Sequence, residues 1–198
     1  MTKEIVAFQG EKGAYSHLAC EEMFPQATIK TCATFEETFK MASEDENIKI
    51  MVPIENSLAG RVADIHYLLT KYKLQIYSEH FQNVEHNLLV KEGTELKDIK
   101  YVRSHVQAID QCQKIISKNK FKTIISADTA GSAKDLSTGN DKSIAAIASK
   151  LSAKIYNLKI LKSNIEDDTG NVTRFLIMGK KVNQPENIKN TKYITSCI

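Results

Sequence analysis

Short β-branched runs alternate with helical stretches along almost the whole chain, and that alternation most narrows what it can fold into. Residues 4–8, 28–31, 48–53, 74–77, 84–90, 101–103, 123–126, 143–146, 159–161 and 172–178 read as strands. Residues 16–23, 35–42, 60–69, 106–117 and 130–136 read as helices between them. Alternating β and α elements of this length predict an α/β fold with a largely parallel sheet. The elements fall into two clusters, about 1–79 and 84–160, separated by the stretch 79–85. The strand at 172–178 follows both clusters and can return to the first, so lobe 1 is expected to comprise about 1–79 plus 163–179, and lobe 2 about 84–160.

A chain of 198 residues suits one sizeable domain or two small lobes. The net charge of +3 comes from residues 180–198, where four lysines face Glu186; the rest of the chain is balanced. No basic face is implied, so nucleic acid is not an expected partner. No apolar run is long enough for a membrane span, and the first residues form an acid-containing strand pattern, not a signal peptide. Cys20, Cys32, Cys112 and Cys197 lack CxxC spacing and read as reduced, mostly buried thiols of a cytoplasmic protein. His80 and His86 have no matching second pair, so no metal site is expected. The polar stretch 181–190 reads as a linker, and 193–198 as a strand without its partners.

Four strand-to-helix junctions share one grammar: an apolar strand, a polar residue, a helix. They lie at Gln9–Ser16, Pro53–Gly60, Arg103–Gln107 and Ser126–Ser132. Ser57, Ser104 and Asp128 are good helix caps, and Ser104 with Gln107 fits a capping box. Taken together, the junctions also suit an anion. Ligands of open α/β sheets bind at the carboxyl ends of strands, where free N–H groups of helix N-termini gather. The Gly10–Gly13 loop matches neither GxGxxG nor GxxxxGK[ST], so its glycines are read as letting backbone approach a ligand.

Five ordered segments carry a resemblance: Gly10-x-x-Gly13-Ala14-Tyr15-Ser16; Val52-Pro53-Ile54-Glu55-Asn56-Ser57-x-x-Gly60; Ser104-His105-x-Gln107-Ala108-x-x-Gln111-Cys112; Asp128-Thr129-Ala130-x-Ser132-Ala133; and Asn171-x-Thr173-Arg174-Phe175. The chain resembles prephenate dehydratase over residues 5–178. Val106 departs from the family pattern, which usually has proline after the Ser-His pair. The resemblance implies two α/β lobes, similar to type 2 periplasmic binding proteins, with the active site in the cleft. It implies decarboxylative dehydration of prephenate to phenylpyruvate, water and carbon dioxide in phenylalanine biosynthesis, without a cofactor. It implies a homodimer or higher homo-oligomer. It also implies phenylalanine regulation only where a C-terminal ACT domain, which would begin near Tyr193, exists in a longer chain.

The resemblance assigns the essential hydroxyl to Thr173, read here as donating a hydrogen bond to the departing ring hydroxyl. Glu55, Ser104 and Gln111 join it as candidate catalytic residues. Gly13, Asn56, Ser57, His105, Thr129, Arg174 and Phe175 are candidate substrate contacts. Strand alternation places Thr173 and Phe175 on one face and Arg174 on the other, so Arg174 is also read as bracing the cleft through Glu55 or Asp167. His105 at a helix N-terminus is expected to favour the neutral form. Two alternatives stay open: arogenate as the substrate, and a non-catalytic two-lobed binding protein.

Overall fold

The computed structural model describes residues 4–180. The linker and terminal strand expected at 180–198 lie, apart from Lys180, outside the described residues. Two sheets form two lobes. The first contains β1 (Ile5–Gln9), β2 (Thr28–Cys32), β3 (Ile48–Asn56), the short β4 (Gly60–Arg61), β5 (Gln75–Asn83) and β11 (Val172–Gly179). The second contains β6 (Asn87–Val90), β7 (Tyr101–Ser104), β8 (Lys122–Ile125), β9 (Ile144–Ala148) and β10 (Lys159–Lys162). Their orders are β2-β1-β3-β11-β5, with β4 paired to β3, and β10-β6-β9-β7-β8.

The parallel expectation describes only the heart of each sheet. β1, β2 and β3 run parallel, as do β7, β8 and β9. β11 is antiparallel to both β3 and β5, and β6 is antiparallel to β9 and β10. These reversals occur where the chain crosses between lobes. β5 is also longer than expected: the charged stretch from Glu79 looked like a connection, yet Gln75–Asn83 is one edge strand with a polar face. The crossing itself is 84–86, and it is hydrogen-bonded to the returning segment. Val84 N–H donates to the Asn171 carbonyl at 2.9 Å, and Ile165 N–H to that of His86 at 2.9 Å.

Both sheets are covered on two sides, so every β-strand at the centre reads as a near-continuous apolar run. In lobe 1, α2 (Phe35–Glu44) and α3 (Ala63–Tyr72) cover one face around Phe39, Ile50, Ile65 and Leu176. The helix α1 (Tyr15–Met23) covers the other, around Phe8, Met51, Phe175 and Ile177. Phe8, Phe39 and Phe175 are among the largest fully buried side chains, each contributing roughly 1.5–3 kcal/mol by burial. In lobe 2, α4 (Val106–Asp110) and α5 (Gln113–Asn119) pack on one face, and α6 (Thr129–Thr138) and α7 (Lys150–Ile155) on the other.

Local chemistry explains the helix starts. Thr34 caps α2 by accepting from Glu37 N–H, and the Glu37 carboxylate reaches back to Ala33 N–H. Asp128 caps α6 through Gly131 N–H at 2.6 Å, as its sequence position predicts. Two other expectations shift. Ser57 caps nothing, because the chain folds back as β4 before α3 begins at Ala63. Ser104 is the last residue of β7, and His105 is the cap of α4, its Nδ1 accepting from Gln107 N–H. The single helix expected over 106–117 is two. The Gln111 carbonyl accepts from Asp167 N–H at 2.7 Å, Cys112 leaves helical geometry, and the Asp167 carboxylate receives Lys114 N–H at 3.0 Å. Asp167 therefore caps α5 from the return crossing and is not the partner of Arg174.

Candidate active site

A cavity of about 570 Å³ opens between the lobes, within the range of small-molecule sites. Lobe 1 contributes Tyr15, Asn56, Arg61 and Thr173 to its walls, lobe 2 contributes His105, Gln111 and Thr129, and the two crossings contribute His86 and Asn171. A second hollow of about 640 Å³ is lined by residues of lobe 1 alone.

Asn56 sets the polarity of the cleft. Its Oδ1 accepts the backbone N–H groups of Leu58 at 3.0 Å and Ala59 at 2.8 Å. Two donors on one atom identify that atom as the oxygen, so Nδ2 is on the other side. Nδ2 then donates to Thr173 Oγ1 at 2.9 Å and to Asn171 Oδ1 at 2.6 Å. Thr173 thus accepts from Asn56, and among the described residues its own proton has no protein acceptor. A hydroxyl held this way in a cavity wall is a donor to whatever occupies the cavity.

The same chain continues into lobe 2. Asn171 Nδ2 donates to Gln111 Oε1 at 2.7 Å, and that oxygen also lies 2.9 Å from His86 Nε2. His86 Nδ1 is 2.9 Å from the Tyr15 hydroxyl, which is 2.8 Å from the Glu85 carbonyl. Burial pushes His86 below its ordinary value, against the Gln111 hydrogen bond and the nearby Glu166 carboxylate, so the ring is neutral at pH 7. Burial, reinforced by Cys112, Glu166 and Glu85, holds the Tyr15 phenol well above its usual value. Burial also raises the free thiols, Cys20 to about 12 and Cys112 further still, so neither is a nucleophile at neutral pH.

The predicted site residues divide by where the fold puts them. Thr173, Asn56, Gln111, His105 and Thr129 line the cavity together. Ser104 is fully buried and donates to the Ile147 carbonyl at 2.7 Å, stitching β7 to β9. Ser57 binds the turn before β11, donating to the Gly170 carbonyl and accepting Val172 N–H. Glu55 is exposed and outside the cavity lining. Gly13 does permit a close approach, but to protein: its carbonyl accepts from Ser149 and Ser152 of the second lobe at 2.5 and 3.0 Å. Phe175 shares a face with Thr173, yet lies one step deeper, 2% exposed in the α1-side core. Arg174 faces away and pairs with Glu79, Nε to Oε2 at 2.7 Å, beside the Phe81 ring. Its partner is neither Glu55 nor Asp167, because β5, absent at that length from the sequence reading, lies alongside.

Tyr15, Arg61, His86 and Asn171 also reach the site. Tyr15 and Asn171 stand inside the sequence segments noted above, whereas Arg61 and His86 carried no motif. Among the described residues, no group of three or more His, Cys, Asp or Glu is arranged to hold a metal ion, and no helix is long and apolar enough to cross a membrane.

Fold and cleft together define a two-lobed α/β protein with a small-molecule site built mainly from amide, hydroxyl and imidazole side chains, with Arg61 and Asp128 also in its lining. The profile of the prephenate dehydratase family matches residues 6–183. The chain is 41% identical over 179 residues to the bifunctional N-acyl-homoserine lactone acylase/prephenate dehydratase of Komagataeibacter europaeus, covering 90% of this chain and 64% of that protein. It is 38% identical over 176 residues to arogenate dehydratase/prephenate dehydratase 2 of Arabidopsis thaliana, covering 89% of this chain and 46% of that one. Among solved structures, prephenate dehydratase in complex with L-Phe from Arthrobacter aurescens superimposes with a TM-score of 0.83 at 28% identity, covering 92% of this chain and 62% of that one. The chain belongs to the prephenate dehydratase family, and it spans between about half and two thirds of these relatives.

Proposed function

We propose that this chain catalyses the decarboxylative dehydration of prephenate to phenylpyruvate, water and carbon dioxide. The observation that carries this reading is the Thr173 hydroxyl, fixed as a donor by Asn56 and placed in the wall of the cavity. Loss of the ring hydroxyl and the ring carboxylate makes the ring aromatic, which supplies the driving force. Protein assistance is needed where negative charge grows on the departing oxygen. A threonine hydroxyl is too weak an acid to act by full proton transfer, but as a placed hydrogen-bond donor it stabilises that charge by about 3–4 kcal/mol. Arg61, the one Lys or Arg side chain lining the cavity, has only His66 against its guanidinium among the described residues, at 3.2 Å. It suits a substrate carboxylate.

The test is direct. The protein is mixed with prephenate at neutral pH and phenylpyruvate is followed by its absorbance in alkali. Arogenate, a substrate named in the Arabidopsis relative, is assayed beside it, as is an N-acyl-homoserine lactone, the second activity in the Komagataeibacter relative's name. Turnover of arogenate in preference to prephenate moves the substrate and keeps the chemistry. Binding of both without turnover would favour a receptor and sink the enzyme reading.

A further inference from the structure

The hydrogen bonds that run from the loop after β3 to the first helix visit both lobes and both crossings. Leu58 and Ala59 belong to lobe 1, Asn171 to the return crossing, Gln111 to lobe 2, His86 to the outward crossing and Tyr15 to lobe 1 again. As far as His86, each member has one chemical orientation open to it once its predecessor is fixed. The backbone amides of Leu58 and Ala59 fix Asn56. Asn56 Nδ2 requires an oxygen on Asn171, and Asn171 Nδ2 then requires an oxygen on Gln111. An amide oxygen only accepts, so the His86 nitrogen 2.9 Å away must carry the proton. A neutral ring with Nε2–H has a bare Nδ1, which lies 2.9 Å from the Tyr15 oxygen and shares that hydroxyl's one proton with the Glu85 carbonyl, 2.8 Å away.

We infer that Asn171, which opens the last of the five segments but is not among the candidate site residues named from the sequence, is a positioning residue: it ties the donor polarity of Thr173 to the tautomer of His86. It is 6% exposed and bonded at 2.6 Å toward Asn56 and 2.7 Å toward Gln111. Among the described residues, no other side chain hydrogen-bonds to both the amide that orients Thr173 and a residue of lobe 2. The link to catalysis rests on the dehydratase reading; the link to the His86 tautomer does not.

Two near-isosteric variants separate the possibilities. In Asn171→Asp the carboxylate still accepts from Asn56, but its second oxygen repels Gln111 Oε1. The Gln111 amide turns over, presents N–H to His86, and drives that ring to the Nδ1–H form. In Gln111→Glu the carboxylate accepts from both Asn171 and His86, so the ring keeps Nε2–H. The readout is a nitrogen–proton correlation spectrum of the imidazoles at neutral pH, in which protonated and bare nitrogens resonate far apart. The expected results are Nε2–H in the parent, Nδ1–H in Asn171→Asp and Nε2–H in Gln111→Glu. Nδ1–H in the parent overturns the inference, as does an unchanged tautomer in folded Asn171→Asp; where that variant fails to fold, bare Nε2 in Gln111→Glu overturns it. For the catalytic half, Asn171→Ala is expected to lower kcat by up to about tenfold with KM little moved, and parental kcat overturns the positioning role. Absence of turnover by the parent would be the separate failure of the dehydratase reading, and the tautomers decide the structural half even then.

Discussion

Asn56 uses both amide hydrogens inside the protein, so its contribution to a ligand passes through Thr173. Substituting Asn56→Asp keeps the shape and reverses the polarity. The carboxylate still accepts from Leu58 and Ala59 but now takes the Thr173 proton, leaving no donor for the cavity. A loss of about a hundredfold in kcat at neutral pH is expected, with partial recovery as the pH falls toward about 4 and the carboxyl protonates. A pH profile parallel to that of the parent, after subtracting the uncatalysed rate, would count against this. Thr173→Val is expected to cost a hundredfold or more in kcat, and Thr173→Ser to keep much of the activity, because serine retains the donor and loses only a methyl group. Valine at parental kcat would end the donor mechanism. Arg61→Ala is expected to lower kcat/KM by about ten- to a hundredfold, the range of a charge-assisted hydrogen bond. The loss should shrink as salt screens the exposed guanidinium in the parent; equal kcat/KM in the two proteins would remove Arg61 from the site.

At the scale of elements, the loop between β1 and α1 is the tightest join between the lobes. Gly13 has φ of +93°, and a Cβ there would sit 2.5 Å from Ser152 Oγ and 2.9 Å from its Cα. The Tyr156 hydroxyl donates to the Lys12 carbonyl at 2.8 Å, and Lys134 pairs with Glu11 at 3.0 Å, on the same loop. Gly13→Ala therefore meets strained backbone and a clash with α7 together, an expected destabilisation of about 2–4 kcal/mol, read as a lower urea midpoint; an unchanged midpoint would show that the loop yields freely. This loop also shows what the sequence could and could not reveal. The alternation of β and α runs, the two clusters and the return of the last strand are all visible in residue order, because hydrophobic periodicity is local. So are the polar junctions at which Thr173, Asn56, Gln111, His105 and Thr129 meet. The destination of a polar side chain is not local. Gly13, Ser57 and Ser104 carry the same junction grammar, yet each is consumed by a neighbouring segment that only register and crossing geometry bring alongside. Likewise, Glu79 looked like linker because its partner Arg174 lies ninety-five residues away, and His86 had no motif because its role depends on Tyr15, Gln111 and Asn171 converging on it.

Across the whole molecule, two buried imidazoles oppose acid, His86 in the outward crossing and His17 in α1. Burial lowers both His86 and His17 from 6.5, Glu21 and Lys12 acting oppositely on the latter. The unfolded chain binds protons near pH 6.5 that the folded chain refuses, so their contribution is complete above that pH. It is lost as the pH falls from about 6.5 through the lowered folded values. Urea midpoints measured from pH 7.5 to 5.5 should therefore decline on acidification, and a flat or rising series would contradict the assignment. The sheet orders have another consequence, for the sequence of events during synthesis. The second sheet is built from one uninterrupted stretch, β6 to β10, and is complete while the first still lacks its last strand. That missing strand is β11, which enters between β3 and β5. Until it arrives, lobe 1 has two open edges, the exposed state most prone to pairing with other chains. Thr173 sits on this final insert, so a ribosome-bound chain ending before residue 172 holds the cleft's amides, its imidazoles and its arginine but not the hydroxyl they are arranged around. Closing the sheet and installing that hydroxyl are one event.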